Sequence, residues 1–187
     1  MHQPILDALR RGAAAEALTA ARDAVAAQPQ DATSHRLLAA ALRLSGDREA
    51  AMAAIDQAIG LAPDDANLHL ERAGLLLHER HIDEAQAALA KATGLDPNQF
   101  PAYIIQAQLA LSRGDLDEAE RLARTAARIA PDHPHVAAAE GMVALRRGDA
   151  DRALSILSQA YERFPDEVQL QHALGFAYLA KGHFAFA

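Results

Sequence analysis

The stretch RGDLDEAERLARTAARIAPD, Arg113–Asp132, decides the fold because its layout recurs elsewhere in the chain. It begins with Gly-Asp, continues with alanines at helical spacing, and ends with Ala-Pro-Asp. The same layout occurs in SGDREAAMAAIDQAIGLAPD (Ser45–Asp64) and in RGDADRALSILSQAYERFPD (Arg147–Asp166). Copies of one helix with the same start and stop signals indicate a periodic chain rather than a single helix.

The period is 34 residues, and four columns of residues share it. The prolines of the period are Pro29, Pro63, Pro97, Pro131 and Pro165. The alanines are Ala17, Ala51, Ala85, Ala119, Ala153 and Ala187, and in a second column Ala24, Ala58, Ala92, Ala126 and Ala160. The glycines are Gly12, Gly46, Gly114, Gly148 and Gly182, with Arg80 in the remaining place. Self-similarity at this period predicts a solenoid of small helical units.

Each column has a physical reason to recur. Glycine takes the left-handed conformation that ends one helix, and the aspartate after it caps the next helix. Ala51, Ile55 and Ala58 share one helix face, where small side chains let a neighbouring helix approach closely. The prolines end the second helix of each unit. The pattern therefore predicts an all-α chain of paired helices.

These columns resemble those of the tetratricopeptide repeat family. The resemblance implies a right-handed α-solenoid of antiparallel helix pairs, with about five and a half repeats in a single array over residues 1–187. The expected repeats are about 1–31, 32–65, 66–99, 100–133 and 134–167, with a partial one at 168–187. The family's large aromatic residue early in the first helix is present only as Tyr103; the matching places hold His35, His69, Ala137 and Gln171. These departures predict looser packing between repeats.

The composition excludes several classes of function. With 25 acidic residues against 18 Lys and Arg, the net charge of −7 argues against nucleic-acid or anionic-membrane binding. The chain has no cysteine, and we find neither a secretory signal nor an apolar run long enough to span a membrane. The prediction is a cytoplasmic protein without a cofactor.

Catalytic and metal-binding motifs are not evident. The segment HERH places His78 and His81 three residues apart, but Arg80 lies at a turn between helices, so the sequence predicts no metal site. The serines lie in no nucleophile-elbow pattern, and the glycines belong to the period rather than to a phosphate loop. We therefore predict no catalytic residue and no enzyme activity within these residues.

The resemblance also implies that the first helix of each pair lines a concave groove. The predicted groove residues are Arg36, Arg43, Leu70, Leu77, His78, Ile104, Gln108, Leu111, His135, Met142, Arg146, His172 and Phe176. Because the predicted positions include three arginines and no acid, they favour a peptide with an acidic or carboxylate-bearing segment. The alternative is that the arginine stems only cover helix surface.

Two functions agree with this sequence. One is a protein–protein interaction scaffold that binds a partner peptide or helix in its groove. The other is a substrate-positioning or regulatory arm of a larger enzyme, for example a transferase or hydroxylase, whose catalytic domain lies beyond residue 187. The last repeat has no readable capping helix, which predicts either a longer protein or self-association through that end.

Overall fold

The computed structural model describes residues 2–182, which form eleven helices and no strand. The helices are α1 (Gln3–Arg10), α2 (Ala14–Ala27), α3 (Ala32–Ser45), α4 (Arg48–Leu61), α5 (Ala66–His78), α6 (Ile82–Leu95), α7 (Phe100–Arg113), α8 (Leu116–Ile129), α9 (Pro134–Arg146), α10 (Ala150–Arg163) and α11 (Val168–Ala180). The predicted fold class, an all-α solenoid of helix pairs, is confirmed. In the described part of the chain, no helix has the length and apolarity needed to cross a membrane.

The glycine column ends the first helix of each pair in the way the sequence predicts. Gly12, Gly46, Gly114, Gly148 and Gly182 have φ values of 68, 85, 78, 84 and 75°. Arg80 occupies the same conformation with a φ of 62°. After Gly12, Gly46, Gly114 and Gly148, the next residue donates a second hydrogen bond back to the helix, as where the Asp47 N–H donates to the Leu42 carbonyl at 3.0 Å. This bond pattern satisfies carbonyl groups that the end of a helix leaves free.

The aspartates that follow three of these glycines start the next helix. The carboxylates of Asp47, Asp115 and Asp149 each accept a hydrogen bond from the backbone N–H three residues later, at 3.1, 3.1 and 3.0 Å. These N–H groups have no partner within their own helix, so a side-chain cap stabilises each start by about 1 kcal/mol. The turn between paired helices is thus specified locally.

The contacts divide the chain into two compact bodies, an N-terminal body (Met1–Asp96) and a C-terminal body (Pro97–Ala187). In the N-terminal body, Ala51, Ile55 and Ala58 of α4 are fully buried in one cluster with Leu68 of α5. The alanine face predicted for the second helix is therefore a packing surface. The single array over residues 1–187 stays a prediction, and residues 183–187 of its last repeat lie outside the described residues.

In the C-terminal body, small and apolar residues of a second helix likewise pack against the first helix of the next repeat. Ala153 and Leu157 of α10 are fully buried against Leu170 of α11. A Cβ added to Gly141 of α9 would lie 2.5 Å from Cγ of Leu157, so only glycine lets these two helices come so close. The small residues of the repeat set the distance between paired helices.

The polar residues in the family's aromatic position have a hydrogen-bonding role that the sequence did not indicate. The ring Nε2 atoms of His35 and His69 lie 2.9 and 2.8 Å from the carbonyl oxygens of Pro29 and Pro63. The side-chain amide of Gln171 donates to the Pro165 carbonyl at 2.8 Å. Each bond ties the first helix of a repeat to the turn before it.

Candidate functional site

A groove in the C-terminal body, which we call the apolar groove, crosses helices α7, α9 and α11 and has a volume of about 580 Å³. It is lined by Phe100, Pro101, Ile104, Ile105, Ala107, Gln108, Leu111, His133, His135, Ala138, Ala139, Met142, Gln169, His172, Ala173 and Phe176. Seven of the predicted groove residues are among them: Ile104, Gln108, Leu111, His135, Met142, His172 and Phe176. The structure thus brings seven of the eight predicted residues from Ile104 onward to one surface, which Arg146 does not line.

Helical spacing places these side chains on one face. Ile104, Gln108 and Leu111 follow one another at i, i+4 and i+7 on α7, and His172 and Phe176 are four residues apart on α11. Ile104 and Leu111 are buried and form part of the floor, whereas the Phe176 side chain is 57% exposed. A large exposed aromatic ring beside an apolar floor is a surface typical of partner binding.

The apolar groove has no formal charge in its lining when its histidines are neutral. None of the sixteen lining residues is Asp, Glu, Lys or Arg, and the polar ones are Gln108, Gln169, His133, His135 and His172. Glu167 stands just outside, with its carboxylate 3.5 Å from Nε2 of His135. The electrostatic character of the groove therefore depends on the protonation of its imidazoles.

His133 has two structural roles at one end of the groove. It is the N-cap of α9, where its Nδ1 accepts a hydrogen bond from the His135 backbone N–H at 3.3 Å. Its ring lies against Phe100, with centroids 4.6 Å apart. Burial lowers the pKa of His133 below its ordinary value, and the neighbouring His135 adds to this effect.

The N-terminal body has a smaller and more polar pocket, which we call the charged pocket. Its volume is about 260 Å³, and Arg43, Glu71 and His78 line it together with Gly74. Glu71 was not among the predicted groove residues, yet it lines this pocket beside Arg43 and His78. Glu71 follows the predicted residue Leu70 directly on α5.

Glu71 also changes the role predicted for one arginine. Its carboxylate accepts a hydrogen bond from the Arg36 guanidinium at 2.9 Å, so that Arg36 joins α3 to α5. Arg146 donates to the Leu111 carbonyl oxygen at 3.1 Å and links α9 to α7. Of the three predicted anion contacts, only Arg43 makes no such contact in the described part of the chain.

The other predicted residues of the N-terminal body are Leu70, Leu77 and His78, all on α5. Leu70 and Leu77 are half-buried on α5, and neither lines the charged pocket. His78 is the last residue of α5 and His81 is the N-cap of α6, where His81 lies 3.6 Å from the Glu84 carboxylate. Within residues 2–182, no three His, Asp or Glu side chains gather in a way that could hold a metal ion.

Several lining residues were not singled out as site residues from the sequence, above all Phe100, Ile105 and His133. A signal for His133 exists in the 34-residue column that provides the N-caps of the first helices: Asp31, Asp65, Gln99, His133 and Glu167. A histidine among capping residues indicates a residue with a titratable role. No such signal marks Phe100 or Ile105, because an apolar residue in a helix is equally compatible with a buried core position.

Two models of the tetratricopeptide repeat family match the chain, one over residues 42–109 and 76–143 and the other over residues 5–66 and 138–185. A comparison with curated protein sequences gave no match.

Among solved structures, PilW, a type IV pilus biogenesis factor, is similar with a TM-score of 0.83 and 17% identity over 99% of this chain and 86% of that one. PilF of Pseudomonas aeruginosa has a TM-score of 0.80 and 18% identity over 98% of this chain and 85% of that one. YrrB, described as having an unusual peptide-binding site, has a TM-score of 0.65 and 18% identity over 89% and 86%. At such identities these likenesses concern the fold alone. The family models, each covering more than half of the sequence, show that this chain belongs to the tetratricopeptide repeat family.

Proposed function

We propose that this protein is a non-catalytic interaction scaffold whose apolar groove binds an amphipathic helix of a partner protein. The observation that carries the proposal is the groove itself, with its apolar floor, its exposed Phe176 ring and its lack of charged lining residues. Membership of a family whose fold is that of interaction scaffolds supports the general function. The apolar, formally uncharged lining of the groove supports an amphipathic helix as the partner.

The lining of the apolar groove suits a partner segment that is helical better than one that is extended. An extended peptide brings unpaired backbone N–H and C=O groups, and burying each without a partner costs about 1–3 kcal/mol. The groove offers few polar side chains to pair them, namely two glutamines and three histidines. A helix satisfies its own backbone and presents apolar side chains at i, i+3, i+4 and i+7.

The lining of the apolar groove includes no arginine or lysine, which argues against the acidic partner predicted from the sequence. Arg36 and Arg146 are engaged within the protein, and the only groove arginine without such a contact in residues 2–182, Arg43, lies in the charged pocket with Glu71. The apolar groove offers no guanidinium group for a carboxylate. We therefore propose an uncharged apolar contact face for the partner helix, in place of an acidic segment.

The proposal is tested by calorimetric titration with a designed 14-residue peptide of Leu, Ala and Gln, acetylated and amidated, with Leu at helical spacing. We expect saturable binding at pH 7.5 and at least tenfold weaker binding by Phe176→Ala, because a central aromatic contact contributes about 2 kcal/mol. Tyr161→Ala, an exposed aromatic residue of α10 outside the groove, is the matched control and should bind like the wild type.

Two outcomes would overturn the proposal. One is an absence of saturable binding, or equal binding by the wild type and Phe176→Ala. The other is binding only by a version of the peptide that carries Glu in place of Gln, with loss in Arg43→Ala, which would support the acidic partner instead.

A further inference from the structure

We propose that acidification weakens binding in the apolar groove, because His133 caps helix α9 only while its imidazole is neutral. This inference rests on the proposed function and adds a regulation of the same site. The geometry that carries it is the hydrogen bond from the His135 backbone N–H to Nδ1 of His133, at a residue that also lines the groove. An imidazole nitrogen accepts such a bond only when it carries no proton.

Two other repeats show what is unusual about this cap, while the starts of α7 and α11 have no side-chain cap. At the equivalent position of α3, the Asp31 carboxylate accepts hydrogen bonds from the Thr33 and Ser34 N–H groups, and in α5 Asp65 accepts from Asn67. A carboxylate remains an acceptor at every pH above about 4. His133 performs the same task with an imidazole, which gains its proton at a higher pH than a carboxylate does.

Protonation of His133 has three consequences. The cap is lost, which destabilises the start of α9. A positive charge then stands at the positive end of a helix, where it is unfavourable. The charge also lies in the lining of the apolar groove, where the partner's apolar face would displace the water that solvates it.

The charged and titratable groups around His133 determine the pH at which its imidazole gains a proton. His135 lies on α9 itself, and Glu167 at the start of α11 forms an ion pair with His135 when that ring is protonated. His172 lines the groove from α11, and on the α10 side Arg163 is paired with Asp132. Glu167 favours protonation of His133, whereas burial and His135 oppose it more strongly, so the neutral cap persists to a pH below the ordinary histidine range.

Binding of the uncharged Leu–Ala–Gln peptide at pH 7.5 and pH 5.0 tests the proposal. We expect at least fivefold weaker binding by the wild type at pH 5.0. His133→Asp introduces the carboxylate cap found at the starts of α3 and α5. Its change in log Kd between the two pH values should be less than half of that of the wild type. His172→Gln, which removes another groove imidazole without touching the cap, should keep most of the wild-type change. Equal pH dependence in the wild type and His133→Asp would overturn the proposal.

A measurement without peptide separates this inference from the proposed function. The amide hydrogen-exchange protection of the first turn of α9 should fall between pH 7.5 and pH 5.0 in the wild type and stay constant in His133→Asp. If no peptide binds at pH 7.5, the proposed function fails while this measurement still tests the cap. Unchanged protection in the wild type would refute the cap mechanism itself.

Discussion

At the scale of single residues, the strongest constraint is the left-handed conformation at the turn inside each helix pair. Five glycines adopt it without strain, and Arg80 adopts it with a φ of 62°. A side chain with a Cβ raises the energy of this conformation by about 1 kcal/mol or more. The interruption of the glycine column is therefore a local weakness rather than a different turn.

Arg80→Gly should raise the free energy of unfolding by about 1 kcal/mol, because it removes this strain. Gly114→Ala should lower it by a similar amount, since it introduces the same strain at an equivalent turn with a φ of 78°. Urea denaturation of both variants checks the pair. A lower midpoint for Arg80→Gly would contradict the explanation.

At the scale of helices, the distance between partners depends on which residue faces the second helix. Gly141 of α9 lies against the fully buried Leu157 of α10, whereas a Cβ added to Gly74 of α5 would meet no atom within 4 Å. Both glycines lie inside first helices of their pairs. Their different surroundings predict opposite effects for the same substitution.

Gly141→Ala should destabilise the protein by about 1–3 kcal/mol, because the new methyl group overpacks the contact with Leu157. Gly74→Ala should stabilise it by about 0.5–1 kcal/mol, since alanine is the better residue in a helix interior. Thermal unfolding of the two variants provides the comparison. If Gly141→Ala were as stable as the wild type, the close helix approach would be wrong.

At the scale of the whole molecule, charged side chains join helices of neighbouring repeats, and the clearest case is Glu120. Its carboxylate lies 2.6 Å from Arg124 of α8, 2.8 Å from Arg147 after α9 and 3.1 Å from Arg152 of α10. These contacts lower the pKa of Glu120, and the hydrogen bond from Arg152 contributes most. The cluster holds three helices of the C-terminal body together.

Glu120→Gln should lower the free energy of unfolding by about 1 kcal/mol at pH 7, because three guanidinium groups lose their shared anion. Since the pKa is lowered on folding, the stabilisation is present above the ordinary carboxyl value of about 4.3 and is lost as the pH falls through the folded-state pKa. The wild type and the variant should therefore approach each other in stability at acid pH.

Denaturation curves between pH 7 and pH 3 measure this convergence. Glu162→Gln, an exposed glutamate of α10, is the control and should change the stability by less than about 0.5 kcal/mol at any pH. A constant difference between wild type and Glu120→Gln over this range would show that the carboxylate charge has no stabilising role.

The helices and their boundaries were predictable because their signals are local. Gly46 and Asp47 specify the end of one helix and the start of the next through bonds that span no more than five residues. The resemblance to the repeat family assigned Ile104, Gln108 and Leu111 to the inward face of a first helix, and the three side chains line one surface of the structure. The roles of His35 and His69 were missed, since the proline carbonyl groups that they contact depend on the path of the turn.

By itself, the sequence determined the repeat, the helix pairs and the alanine and glycine positions at which they pack. Only the tertiary structure decided which groove arginines are engaged, that Glu71 lies among them, and that His133 serves as a cap. The physical reason is the range of the contacts. Arg36 meets Glu71, and Arg146 meets the Leu111 carbonyl, across 35 residues, and such partners are chosen by how successive helix pairs stack rather than by either helix alone.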